Sequence, residues 1–258
     1  EYMKLQTIVL GLFFSGIANA TVISVDFDTQ ESIDSFNTQD GKTIDYLAAG
    51  GIGGSGAVSG FFVNSTFADS SFDFSNIGTE IEISAFYKMS SNIEASGSMI
   101  NMFGELTLVT GADSYIHDDN VLFANVGQTN NSVRIFGGAL ETDGGVFSGF
   151  QEDMTTGTIL ADHWYQFGVT FKNLGGLIGY DLTMNNYGLD GTSFVSEVIN
   201  SKFITNDTHN IGRDKSVYGG MQVLGILPNI TLGEAVAVDN FSIRYSNGVS
   251  QVPEPSSI

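Results

Sequence analysis

The chain of 258 residues has no cysteine, 3 prolines, 3 histidines, one tryptophan and 9 basic residues. Without cysteine, disulfides and thiol chemistry are excluded, so stability must come from core burial, with metal as an added candidate. The histidines, His117, His163 and His209, are scattered and form no H-E-x-x-H or other close pair, which leaves a zinc hydrolase without ligands. No G-x-S-x-G elbow occurs either. The 9 basic residues face 29 acidic ones, and the resulting net charge of −20 repels nucleic acid and anionic lipid while suiting divalent cations. The longest apolar run, Thr7 to Ile17, is about half the ~20 residues that a membrane-crossing helix needs.

What is abundant is glycine, at 32 residues, together with clusters of Asn, Asp, Ser and Thr, the composition of many tight turns between short strands. A hydrophobic content of 42% with 12% aromatic and 15% charged residues supplies a folded core. At this length one large all-β domain is the economical expectation, since a single sandwich commonly runs to about 200–250 residues.

Three segments carry that expectation. From Glu80 to Met89, Ile81, Ile83, Ala85, Tyr87 and Met89 share one face, whereas Glu80, Glu82, Ser84 and Lys88 take the other with Phe86 among them. Tyr165, Phe167, Val169 and Phe171 alternate up to a turn at Asn173-Leu174-Gly175-Gly176, and Ile178, Tyr180, Leu182 and Met184 alternate on the return, a hairpin. Between Ala235 and Tyr245 the apolar phase changes from even positions, Val236 and Val238, to odd ones, Phe241, Ile243 and Tyr245. That change predicts a bulge at Asp239-Asn240. The Gly-rich stretch Gly50 to Gly56 lacks the G-K-[ST] ending of a phosphate loop, so it reads as a close-packed strand entry or surface loop.

The ends give an address. Lys4 is followed by the apolar run and by Ala18-Asn19-Ala20, small residues where signal peptidase reads them, so residues 1–20 are expected to be a cleaved signal peptide. Residues 21–247 then form the domain, and 248–258 a tail containing Val252-Pro253-Glu254-Pro255. This tail resembles the opening of the PEP-CTERM sorting signal of Gram-negative bacteria, in which V-P-E-P precedes an apolar helix and an arginine cluster. Neither follows within the chain, so the signal is incomplete. The resemblance implies handling by an exosortase, a transient membrane stage through residues beyond Ile258, and a place at the cell surface or in a biofilm matrix.

The domain itself is similar to concanavalin A-like and LamG-like jelly rolls. Glu82 to Lys88, His163 to Phe171 leading to Tyr180 and Asp190-Gly191, and Val238-Asp239-Asn240-Phe241-Ser242-Ile243 stand as landmarks in the family's order. The fold implied is an all-β sandwich of two antiparallel sheets, a frame that hosts lectins, hydrolases and adhesion modules alike. It also implies that Trp164 is buried in the core, and that the first and last strands are neighbours.

Laminarinase-like hydrolases of this fold use an E-x-D-x-x-E strand, because retaining hydrolysis needs two carboxyls about 5–5.5 Å apart. Glu80-Ile81-Glu82-Ile83-Ser84-Ala85 ends in alanine where the last carboxylate belongs, so this pair reads as a solvated strand face and no catalytic residue is assigned. For structural calcium, Asp26 and Asp28 would lie on one face of the first strand, about 7 Å apart by strand rise. Asp239 at the bulge would complete the set, since calcium takes six to eight oxygens. His117-Asp118-Asp119-Asn120 is a second oxygen-rich cluster, read as an Asx turn. Sugar binding needs a flat aromatic face rimmed by planar polar groups. Loop candidates are Tyr115 with Asp118 and Asn120, then Asn185, Asn186 and Tyr187, and Tyr218. Three roles follow: a non-catalytic module binding carbohydrate, above all exopolysaccharide, a structural or adhesive matrix protein, and an unusual glycoside hydrolase.

Overall fold

A computed structural model describes residues 20–38, 42–60, 63–88, 101–112, 120–128, 132–141, 148–154, 159–223 and 237–248. The expected signal peptide up to Asn19 and the V-P-E-P motif lie outside the described residues, as do Tyr115, His117, Asp118, Met89 and Val236.

Fifteen strands are formed, β1 (Thr21–Val25), β2 (Phe36–Thr38), β3 (Asp45–Leu47), β4 (Ala57–Ser59), β5 (Val63–Phe67), β6 (Glu80–Lys88), β7 (Asn101–Val109), β8 (Asn120–Gln128), β9 (Val133–Glu141), β10 (Ser148–Met154), β11 (Trp164–Asn173), β12 (Leu177–Asn186), β13 (Ser196–Asn206), β14 (Tyr218–Val223) and β15 (Ala237–Ser246), with three short 3₁₀ turns among the described residues. They make two antiparallel sheets. The eight-stranded sheet runs β13-β12-β11-β6-β15-β4-β3 with β1 on β15, and the seven-stranded sheet runs β10-β9-β8-β7-β14-β5-β2.

The alternation read from the sequence is what places the core. On β6, Ile81, Ile83, Ala85 and Tyr87 are fully buried, and the ladder sets Phe171, Val169, Phe167 and Tyr165 of β11 directly opposite them. Cross-strand neighbours therefore present one continuous apolar face. The hairpin turns where the sequence placed it, with Gly175 and Gly176 at positive φ (76° and 96°). Asn173 tightens it by accepting from the Gly175 amide (2.9 Å), while its own amide donates to the carbonyls of Phe74 and Gly212 (2.7 Å each).

The last strand carries the expected bulge. Its register against β6 shifts between Asp239 and Ser242, and Asn240 sits in the left-handed region at φ 50°. The extra residue lets Val238 before it and Phe241 and Ile243 after it all face the core, each fully buried. β1 pairs with β15, as the family resemblance implies, but it ends at Val25 rather than continuing through Asp28. The reason lies in Phe27, which takes φ 51° and turns its ring into the core. There it meets Phe36 at 5.6 Å, and Phe36 packs edge-on against both Phe67 of the seven-stranded sheet (5.5 Å) and Phe241 of the eight-stranded sheet (5.2 Å).

This aromatic contact staples the two sheets close to where β1 pairs with β15. Phe241→Ala should therefore cost roughly 3–5 kcal/mol in urea unfolding. A loss below about 1 kcal/mol, the scale of an ordinary surface change, would contradict the packing described.

Candidate functional site

The outer face of the eight-stranded sheet, away from the core, is built around Asp239 and Trp164. At the bulge Asp239 stands directly opposite Phe86, so its side chain shares that outward face. It is nevertheless 1% exposed. Its Oδ2 accepts from the Ile52 amide (2.9 Å) and the Ser55 hydroxyl (3.0 Å), and its Oδ1 accepts from the Asn240 amide (2.7 Å). Burial raises the Asp239 carboxyl above the usual carboxylate range, the three hydrogen bonds pull it back, and the charge of Asp28 adds to the rise.

The Gly-rich stretch is thus a close-packed loop wrapped on a carboxylate. A side chain at Gly51 would lie 2.1 Å from the Gly56 carbonyl and 2.7 Å from Asp239 Oδ2, which only glycine avoids. The loop also reaches across the sheet, for the Gly53 amide donates to the Asp190 carbonyl (3.3 Å) in the turn after β12. At that turn Gly191, at φ 75°, lies against both Ile52 and Trp164.

Trp164 is buried at 2% exposure, as expected, yet it lies outside the main core. It forms a separate outer cluster with Ala57 and Ala237, flanked by Leu47, Ile52, Phe86 and Tyr187. The strand phase explains the difference. Trp164 pairs with Lys88, an outward residue of β6, and its burial comes from the two loops folded over it. Lys88 Nζ lies 5.9 Å from the indole centre, within cation–π range.

Beyond Trp164 runs an aromatic ridge. Phe86 meets Tyr187 edge-to-face at 5.1 Å, and Tyr187 meets Phe194 edge-to-face at 6.1 Å. Phe194 is 60% exposed, with Leu189 and Val195 exposed beside it. The Tyr187 hydroxyl donates to the Gln166 side-chain oxygen (3.3 Å), and Asn185 stands directly opposite Gln166 on β12, both half-buried. Three rings and two planar amides thus share one surface.

Of the residues singled out in the sequence, Asn185 and Tyr187 belong to this ridge. Asn186 is buried and structural, its Oδ1 accepting from the Gly188 amide (2.7 Å) and contacting His163 Nδ1 (3.0 Å). Asn120 and Tyr218 lie on β8 and β14 of the other sheet and do not join it. Phe86, Gln166 and Phe194 also belong to the ridge, although the sequence does not single them out. A lone aromatic on the polar face of β6 and another in the turn-rich Asp190–Val195 stretch were the available signals.

Glu80 and Glu82 are half-exposed and paired with cations, Glu80 to Lys172 (2.8 Å) and Glu82 to Arg244 (3.8 Å), on the open sheet face. Among the described residues no group of three or more His, Cys, Asp or Glu side chains is gathered to hold a metal. Asp26 Oδ1 accepts the Asp28 amide (3.3 Å) in a local turn, and both Asp239 oxygens are engaged by the chain. Asp26, Asp28 and Asp239, expected as a calcium set, are thus not gathered as one metal-ligating group.

These features define a class, the concanavalin A-like sandwich of two antiparallel sheets. Among solved structures the chain is similar to winged bean acidic lectin in complex with methyl-α-D-galactose (TM-score 0.54, 7% identity, covering 88% of this chain and 98% of the lectin). It is likewise similar to lectin UEA-II in complex with galactose (0.53, 6%, 88% and 99%) and to peanut lectin with a nine-residue peptide (0.52, 9%, 89% and 98%). Such identities define the fold alone. No family model and no curated protein matches the sequence.

If the Asp239 carboxylate organises this face, Asp239→Ala should cost roughly 2–4 kcal/mol by leaving buried donors unpaired. Asp28→Ala, at an exposed side chain, should stay within about 0.5 kcal/mol. Equal costs in chemical denaturation would refute the assignment.

Proposed function

We propose that the chain is a non-catalytic carbohydrate-binding module, with Phe86, Tyr187 and Phe194 as its sugar platform and Gln166 and Asn185 as its polar rim. The observation that carries this reading is the exposed Phe194 ring set edge-to-face on Tyr187 beside two half-buried amides. A pyranose has apolar CH faces rimmed by hydroxyls. The CH face packs on the ring, while the amide oxygen and nitrogen accept from and donate to the hydroxyls. Rings already packed against one another lose little freedom on binding, so little affinity is spent on ordering them.

The sandwich frame supports the reading, since winged bean acidic lectin and UEA-II were each captured with a galactose or galactoside. Binding without turnover agrees with Glu80 and Glu82 being held in ion pairs. We further propose that the protein is exported by its N-terminal segment, handled by an exosortase through the V-P-E-P tail, and meets exopolysaccharide at the cell surface or in the matrix.

A glycan array followed by calorimetry tests the site. Phe194→Ala should weaken the best ligand about tenfold or more, equivalent to about 1.4 kcal/mol, with the melting temperature unchanged and EDTA without effect. If no glycan binds while a matrix protein does, the adhesive alternative replaces this reading. Wild-type affinity in Phe194→Ala would move the site elsewhere.

A further inference from the structure

The outer face of the seven-stranded sheet carries a row of polar side chains where solvent-facing residues would be expected. Registers across four adjacent strands align Asn64 of β5, Gln222 of β14, Glu105 of β7 and Asn125 of β8, each directly opposite the next. All four are buried, at 7%, 8%, 5% and 0% exposure. The alternate residues Leu106, Ala124 and Met221 point into the core, so this row lies on the other side.

Burying a carboxyl unpaired is expensive, and proteins usually neutralise it instead. Glu105 Oε2 accepts from the Asn125 amide (3.0 Å), but Oε1 has no partner, and neither has the side-chain oxygen of its cross-strand neighbour Gln222. Two buried acceptors on directly opposed residues lack one thing, a donor between them. We infer that Glu105 carries a proton in the folded protein and donates it from Oε1 to the side-chain oxygen of Gln222, forming a proton-dependent catch between β7 and β14. One proton satisfies both oxygens and removes a buried charge.

The surroundings agree. Among the described residues, β8 and β14 offer Glu105 only the amides of Asn125 and Gln222, and its own strand offers Thr107. Tyr87 of β6 approaches from the core side, its hydroxyl donating to the Glu105 carbonyl (3.0 Å). Tyr218 lies further along β14, opposite Val109. Arg134 of β9 is paired with Asp153 of β10, so among the described residues no free cation faces the carboxyl from these strands. Burial pushes the Glu105 carboxyl up to about 7, against the lowering effect of the Asn125 hydrogen bond.

The sign follows from linkage. With the folded value raised above the ordinary 4.5, the folded chain holds one proton more than the unfolded chain between about 4.5 and about 7. The catch is intact at the acid end and lost as pH rises through about 7.

The test is urea unfolding of the full chain from mildly acidic to mildly alkaline pH, for wild type and Glu105→Gln, with carbon-13 NMR of the wild-type glutamate carboxyls. The wild-type unfolding constant should rise by up to about tenfold per pH unit more than that of Glu105→Gln in the window. One buried carboxyl should titrate near neutrality. If the variant does not fold, the NMR titration alone decides. Identical pH slopes, or a Glu105 carboxyl ionised at mildly acidic pH, would overturn the inference in favour of a carboxylate satisfied by water or by a turned Gln222 amide.

Discussion

A single buried carboxylate organises the outer face of the eight-stranded sheet. The bulge aims Asp239 outward beside Phe86, and the Gly-rich loop folds over it because backbone and hydroxyl donors of that loop are what the anion needs. With the loop fixed, Ile52 and the turn at Gly191 close on Trp164. The turn in turn presents Phe194 against Tyr187. One strand irregularity therefore decides where an aromatic surface stands, although Phe194 and Tyr187 lie more than forty residues earlier in the chain.

The two sheets treat their outer faces differently. The eight-stranded sheet carries the exposed Phe194 ring, the half-buried rings of Phe86 and Tyr187, and paired surface charges. The seven-stranded sheet instead hides amides and a carboxyl in a row, flanked by the outer apolar cluster of Val109, Val121 and Phe123 with Phe136 and Leu140. Among the described residues the most exposed ring, Phe194 at 60%, belongs to the first face.

Much of the fold was legible because it rests on local alternation. The phase change between Val238 and Phe241 located the bulge, and Asn173 to Gly176 located the hairpin turn, since both signals lie within a few residues. The site was legible only in part. Asn185 and Tyr187 were visible as turn-adjacent polar and aromatic residues, but Asn120 and Tyr218 looked equivalent until the strand order separated them onto the other sheet. Trp164 is buried as the sequence suggests, but in a small cluster apart from the main core, because the loops that cover it come from residues 50–56 and 188–195, far off in sequence. Asp26 and Asp28 failed as strand neighbours through the left-handed turn at Phe27, which no periodicity announces in a single short strand.

The ridge of Phe86, Tyr187 and Phe194 is the sugar-binding surface proposed for this chain. Its most direct measurement is NMR mapping of amide and aromatic signals during titration with the best glycan from an array. Shifts should be confined to Phe86, Gln166, Asn185, Tyr187 and Phe194 with their immediate neighbours. Saturable shifts centred on the seven-stranded sheet, with the ridge signals unmoved, would contradict it.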